Sequence, residues 1–291
     1  MAPFSIPAAL IESCRRNGHE DWLDGLPQQI AELTSHWSLA VGEPFQPGGQ
    51  TAWVAPARSA DFGDVVLKVG WRHMEAEDEA AGLREWHGEG AVLVFAGERL
   101  SDTTSALLLE RCRPGITLAQ RRAEEQDVVI AELLQRLWRV PSDEHRFRPL
   151  QEMCDHWADG FERRRAQGRS DGIDFGIARE GVALFRTLPS SAPSERLLCT
   201  DLHADNVLAA EREPWLVIDP KPFVGDPTYD ALQHHLNCQD RLVADPEALA
   251  ARMADLLGLD LERLLLWLFA YCVVQSIDFP WMLGVAEQIR P

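Results

Sequence analysis

The sequence predicts an α+β protein in two parts, a strand-rich first part and a mainly helical second part, and three observations lead there. Between residues 37 and 109 five apolar runs of strand length are separated by turn residues. Helical periodicity takes over from 117 to 196 and again from 227 to 274. Between those helical stretches, Leu197–Cys199, Val207–Ala209 and Trp215–Ile218 read as short strands, with Asp201, Asn206 and Asp219 at their ends. The expected division is residues 1–110 for the first part, a linker at 111–115, and 116–291 for the helical part.

Residues 5–36 read as helical, broken at Gly18, Gly25 and Pro27. Trp37–Phe45 and Ala52–Ala55 read as a hairpin whose tip holds Gly48, Gly49 and Thr51. Glycines there allow backbone N–H groups to approach a phosphate without a Cβ in the way, although a lone Gly-Gly also makes an ordinary turn. Val65–Val69 is a buried strand in character apart from Lys68. The next helix, about His73–His87, has Ala76, Ala80, Leu83 and Trp86 on one face, and Glu79 lies on that face. A carboxylate in a buried stripe needs a partner; Lys68 is the expected one, with Glu75 as the alternative carboxylate.

Ala91–Ala96 and Ser105–Leu109 complete five antiparallel strands, and Glu110–Gly115 breaks both periodicities. Thr117 and Gln120 form a capping-box pattern. Helices are expected at Gln126–Val140, Met153–Arg165, Gly181–Leu188, Pro227–Cys238, Pro246–Leu257 and Leu261–Val274. Gln167–Asp174 reads as an exposed loop, and Asp278, Trp281 and Met282 lie in a tail.

Composition narrows the function. The 291 residues are 46% apolar and 25% charged, as in a soluble globular protein. With 28 basic against 46 acidic residues the net charge is −18, which argues against nucleic acid and is compatible with a cationic small-molecule substrate. Six scattered cysteines without metal spacing suggest free thiols in a reducing, cytoplasmic setting. The first residues lack a basic region followed by an apolar core, and the longest apolar run, Leu264–Val274, is too short to cross a bilayer, so neither a signal peptide nor a membrane span is expected. His234 and His235 are adjacent on a helix and point about 100° apart, so they read as packing and surface residues rather than a metal pair.

Asp201, Asn206 and Asp219 suit metal-assisted phosphoryl transfer, in which one carboxylate orients a hydroxyl while an amide and a second carboxylate hold Mg²⁺. The five-residue spacing from Asp201 to Asn206 equals that of the Asp and Asn in the protein-kinase catalytic loop. In order, the glycine hairpin, Lys68, Glu79, the linker and these three residues resemble the protein-kinase-like, bilobal fold of the aminoglycoside phosphotransferases. The segments Thr200-Asp-Leu-His-Ala-Asp-Asn-Val, Ile218-Asp-Pro-Lys through Asn237, and Ala80–Phe95 are similar to the streptomycin 6-kinase (aminoglycoside/hydroxyurea resistance kinase) branch, over about residues 35–285.

The resemblance implies roles position by position. Asp201 orients or deprotonates the acceptor hydroxyl, and Asn206 and Asp219 bind Mg²⁺. Gly48, Gly49, Thr51 and Lys68 hold the phosphates of ATP, with Glu79 holding Lys68, and the backbone of Glu110 and Cys112 binds adenine. Asp230 and His203 support the catalytic loop. A guanidinium or ammonium substrate would meet carboxylates of the helical part, with Asp155, Asp159, Glu162, Asp226 and Asp278 as candidates and Trp281 for stacking. Two departures stand out: Thr200 occupies a position where many aminoglycoside kinases have glycine, and Pro220-Lys221 follows Asp219. The implied activity is transfer of the γ-phosphate of ATP to an aminoglycoside, streptomycin at its 6-hydroxyl. The alternatives are a kinase of another small hydroxylated metabolite and, from another class, a nucleotide-binding pseudokinase scaffold, which the intact set of five polar residues disfavours. Oligomeric state is not legible.

Overall fold

The α+β class is borne out in a computed structural model that describes residues 4–142, 144–168 and 172–291. The expectations for the first three residues and for part of the 167–174 loop fall outside the described residues. Two compact units form, one reaching to Gly115 and including Ala209–Leu216, the other made of Ile116–Leu208 and Val217–Pro291.

The first unit opens with helices α1 (Ala8–Asn17) and α2 (Glu20–His36). Only Gly18, left-handed at φ 72°, ends a helix; Gly25 and Pro27 lie inside α2. An interior proline costs about 3 kcal/mol, whereas α2 buries Trp22, Leu26, Ile30 and Leu33, each contributing about 1.5–3 kcal/mol. Burial wins, and the helix continues. Strands β1 (Leu39–Val41), β2 (Ala52–Ser59) and β3 (Gly63–Trp71) follow, then α3 (Glu79–Trp86), β4 (Val94–Arg99) and β5 (Thr104–Glu110). The sheet is antiparallel in the order β1-β2-β3-β5-β4.

Side chains alternate across this sheet. Val65, Leu67 and Val69 of β3 enter one core with Leu10, Leu26 and Ile30 of the two N-terminal helices, which leaves Lys68 on the other face. The helix expected from His73 begins only at Glu79; Met74–Ala76 is a separate tight turn.

The second unit contains α4 (Ala123–Leu137), α5 (Leu150–Ala166) and α6 (Phe175–Thr187), then the short strand β6 (Arg196–Leu198); β7 (Val207–Ala209) and β8 (Trp215–Val217) lie at the two ends of the Ala209–Leu216 segment, and β9 (Phe223–Gly225) follows in the second unit. Helices α7 (Pro227–Asp230), α8 (Leu232–Asn237), α9 (Gln239–Ala244), α10 (Pro246–Leu257), α11 (Leu261–Gln275) and α12 (Trp281–Gln288) complete it. β6 pairs with β9, which is three residues long and lies behind two prolines, too short to show a period of two. Thr117 makes no side-chain cap and opens one tight turn rather than α4. The stretch expected as one helix from Pro227 divides into α7 and α8, and the expected tail is largely α12. α11 is buried from Trp267 to Val274, and α6 lies so close to it that a Cβ on Gly181 would sit 2.5 Å from Val273.

His234 and His235 are both fully buried, against the expectation of a surface position for one of them. His234 Nε2 lies 2.8 Å from Oδ1 of Asp127, a carboxylate with no exposed surface that also takes hydrogen bonds from Arg241 and Arg252. Burial alone would raise the Asp127 carboxyl, but these donors hold it well below the usual carboxylate range. Removing the carboxylate strands several cationic groups. Asp127→Ala is expected to cost about 3 kcal/mol, a fall in Tm of roughly 6–10 °C. The depressed carboxyl stabilises the fold above its ordinary pKa of 3.8, and this contribution is lost as pH falls below that value. The difference in Tm between the two proteins should therefore begin to narrow as melts move from pH 7 to pH 3.

Candidate active site

In the first unit, β3 holds Lys68 between Val54 and Leu107, and α3 begins with Glu79. Lys68 Nζ donates to both Glu79 oxygens at 2.7 Å, with side chains 13% and 5% exposed. A lysine so enclosed must be paired, and the bidentate contact fixes its ammonium in place. Thr51, Lys68 and Glu79 line one small cavity with Ala52, Gly70 and Leu107. The hairpin tip is left-handed at Gly48, φ 84°, and a Cβ there would lie 2.6 Å from Pro7. Glycine is thus required at Gly48 both by the backbone and by the N-terminal segment packed on it.

The backbone of Glu110 was expected to reach adenine, but its N–H donates to Leu93 O at 2.8 Å and is already committed. Its carboxylate accepts from Arg212, at 2.9 and 2.8 Å, and from Leu93 N. Arg212 also donates to Gly88 O and Ala91 O, which ties the 209–216 turn to this unit. Cys112 is half-buried, and burial pushes its thiol up to about 12, so it is inert at neutral pH.

In the second unit the loop after β6 places the polar residues expected to act on the acceptor. Asp230 is fully buried beneath it. Its Oδ2 accepts from Cys199 N at 2.9 Å and from Trp138 Nε1 at 3.0 Å, and its Oδ1 from Thr200 N at 2.5 Å. These bonds hold Thr200 at φ 49°, where a β-branched residue is strained, and Thr200 Oγ1 adds a bond to Lys221 O. A left-handed backbone here accounts for the departure from glycine as a conformational cost that the side-chain bond partly offsets.

Asp201 N then donates to Cys199 O, turning the Asp201 carboxylate outward, 19% exposed. Asn206 Nδ2 reaches back to Asp201 O at 3.0 Å, and Asn206 O accepts from Ile218 N, which brings Asp219, also left-handed at φ 53°, beside Asn206. An amide oxygen and a carboxylate are the hard donors that Mg²⁺ takes.

One partner escaped sequence reasoning. Lys221 Nζ lies 2.5 Å from Asp201 Oδ2. Its signal was present in the Pro220-Lys221 departure, but nothing local shows that the side chain turns back across twenty residues.

His203 is corrected as a hydrogen-bonding brace. Its Nδ1 is buried without a partner, and Nε2 stands 3.9 Å from Asp201 Oδ1, beyond hydrogen-bond reach. Burial lowers its pKa, against the neighbouring carboxylates of Asp201 and Asp205, which raise it.

The acidic candidates for substrate separate. Asp226 has no exposed surface; it caps α7 and accepts from Arg263 and Trp267 at 2.6 Å, so it is a brace and cannot touch a ligand. Asp155, Asp159 and Glu162 of α5 share one guanidinium, Arg186 of α6. Asp278 pairs with Arg164 at 3.1 Å in an open groove that also includes His156, Trp157 and Arg163. Trp281 is half-buried at the start of α12 and is not among the groove residues.

Comparison with known proteins adds a family match and relatives. Residues 36–280 match the family described as aminoglycoside/hydroxyurea antibiotic resistance kinase. The chain is 37% identical to the hydroxyurea phosphotransferase of Kitasatospora aureofaciens, over 81% of this chain and 69% of that protein. It is 33% identical to the streptomycin 6-kinase of Streptomyces griseus, over 89% of this chain and 84% of that protein. In fold it is similar to the aminoglycoside phosphotransferase APH(4)-Ia, with TM-score 0.61 and 15% identity over 91% of this chain and 98% of that one. A choline/ethanolamine kinase family protein of Mesorhizobium loti aligns with TM-score 0.59 and 15% identity, over 86% of this chain and 87% of that one.

Burial raises the Asp230 carboxyl to about 6 despite its three donors. Because the folded value lies above the ordinary 3.8, this group contributes stability that is present below 3.8 and lost as pH rises through about 6. Asp230→Asn has no such titration. Melts at pH 4 and pH 7 should therefore show the Tm difference, variant minus wild type, moving in the variant's favour at the higher pH; an unchanged difference would contradict the raised value.

Proposed function

The chain belongs to the aminoglycoside/hydroxyurea antibiotic resistance kinase family, and from that premise we propose that it transfers the γ-phosphate of ATP to a hydroxyl of an aminoglycoside, most specifically the 6-hydroxyl of streptomycin. The observation that carries this reading is the Asp201 carboxylate, partly exposed, held on a braced loop next to Asn206 and Asp219. Phosphoryl transfer demands little covalent work from a protein, so positioning and charge neutralisation dominate.

In this reading Lys68, fixed by Glu79, binds the α- and β-phosphates, with backbone N–H groups near Gly48, Gly49 and Thr51 covering them. Adenine is left to the Cys112 backbone and to the carbonyl of Glu110, since the Glu110 N–H is occupied. Asn206 and Asp219 hold Mg²⁺, which when bound supplies charge neutralisation on the phosphates. Asp201 orients the acceptor hydroxyl and takes its proton. Asp278 is the exposed carboxylate of the groove and the one we assign to a cationic group of the acceptor, with Arg164 as its resting partner. Six free cysteines fit a reducing, cytosolic location, and no helix among the described residues is long and apolar enough to cross a membrane.

A second reading is favoured by two observations, the 37% identity to a hydroxyurea phosphotransferase and the neutralisation of three α5 carboxylates by Arg186. With fewer open carboxylates, a small uncharged acceptor such as hydroxyurea suits the helical unit. A coupled ADP-release assay with streptomycin, other aminoglycosides and hydroxyurea decides between the two; turnover with hydroxyurea alone removes the aminoglycoside assignment. Asp201→Ala is expected to abolish turnover, on the order of 10³-fold or more in kcat, while ATP·Mg²⁺ affinity by calorimetry stays near wild type. A parallel loss of affinity would make Asp201 a nucleotide ligand instead.

A further inference from the structure

The loop from Asp201 to Asn206 reads Asp-Leu-His-Ala-Asp-Asn and contains no lysine or arginine, and the ring of its one histidine stands 3.9 Å from Asp201, beyond hydrogen-bond reach. The reaction needs positive charge where the acceptor oxygen, the transferred phosphoryl and the base converge, because negative charge is concentrated there. Within this unit a cation reaches that point from another segment. Lys221, two residues after Asp219, places Nζ 2.5 Å from Asp201 Oδ2, and the two side chains are 22% and 19% exposed.

The backbone delivers Lys221 there. Cys199 O accepts from both Asp201 N and Lys221 N, each at 2.8 Å, so the two residues hang from one carbonyl. Thr200 Oγ1 bonds Lys221 O, a second tie between the same segments. These contacts use main-chain atoms of Lys221, and its side chain can be changed without removing them.

The two oxygens of Asp201 are thereby made unlike. Oδ2 takes Lys221 and lies 3.5 Å from Asn206 Nδ2, whereas Oδ1 accepts no hydrogen bond among the described residues, the nearest candidate, His203 Nε2, standing at 3.9 Å. A carboxylate with one oxygen anchored and the other open has a defined direction in which to receive a hydroxyl.

We propose that Lys221 is a positioning residue for phosphoryl transfer, anchoring Asp201 by Oδ2 so that Oδ1 is the oxygen that meets the acceptor hydroxyl. The inference rests on the transfer chemistry proposed above. The acceptor O–H breaks and its proton passes to Asp201 Oδ1, the acceptor oxygen bonds the γ-phosphorus, and the bond from phosphorus to the β,γ-bridging oxygen breaks with its electron pair leaving on ADP. Lys221 keeps its proton throughout and holds Oδ2 while Oδ1 changes charge.

Lys221→Met and Lys221→Arg test this in the full-length enzyme, with Asp201→Ala as the reference background. The Met variant is expected to lose about 10²-fold in kcat, with KM for ATP and acceptor, and the affinity for a non-hydrolysable ATP analogue, within about threefold of wild type. The Arg variant, which can still donate to Oδ2, should recover at least tenfold of that loss. Because Lys221 acts through Asp201, adding Lys221→Met to Asp201→Ala should cost nothing further. A Met variant with wild-type kcat and only a lowered Tm would leave Lys221 a fold-stabilising ion pair and overturn the proposal. So would additive losses in the double variant. Slow transfer to water, read as ATP hydrolysis without acceptor, is measured in parallel. A wild type that hydrolyses ATP but phosphorylates no acceptor removes the substrate assignment, while the same comparisons of Lys221 variants remain readable in hydrolysis.

Discussion

The loop that carries Asp201 depends on one buried carboxylate. Asp230 has no contact with solvent and accepts from Cys199 N, Thr200 N and Trp138 Nε1. Two of those donors are consecutive backbone N–H groups immediately before Asp201. Through them Asp230 sets the left-handed turn at Thr200, and that turn decides where the Asp201 side chain points. A charge in such a place is costly, and its raised pKa expresses that cost. The position is kept for geometry, since a neutral side chain lacks acceptors enough for three donors.

A second constraint is the way the chain disposes of its own acidity. A net charge of −18 invites the idea of open carboxylates waiting for a cationic ligand. Instead, several acidic side chains of the helical unit are met by the chain's own arginines: Asp127 by Arg241 and Arg252, Asp226 by Arg263, three α5 carboxylates by Arg186, and Asp278 by Arg164. The buried pairs are structural, because a carboxylate with no exposed surface must be neutralised where it lies. The exposed pairs are screened by solvent, and so weak and exchangeable. A cationic acceptor can therefore compete for Asp278 but not for Asp226.

How much could be read beforehand depended on whether the signal was local. The alternation through Val65–Val69 placed Lys68 on a face of its own, and the stripe of α3 singled out Glu79, so that pair was legible across eleven residues. The five-strand sheet, β7 and α10 were visible for the same reason, as each carries its period within its own length. Pro27 misled because a strong local breaker was overridden by four buried side chains that belong to a tertiary interface. β9 and the small helices α7 to α9 were too short to display a period.

By itself the sequence determined the fold class, the order of the elements, and the residue types able to act on a phosphate, since periodicity and side-chain chemistry are properties of neighbouring residues. Only the tertiary structure decided which charges and N–H donors meet which acceptors. Arg241 and Asp127 meet across 114 residues of chain, Trp138 and Asp230 across 92, and Lys221 and Asp201 across 20. Such pairings are settled by the packing of distant segments and by the high cost of leaving any buried charge or N–H unmatched. Asp201, Asn206 and Asp219 are accordingly legible as a group from their local spacing, whereas Lys221 joins them only through the two backbone N–H groups that share the single carbonyl of Cys199.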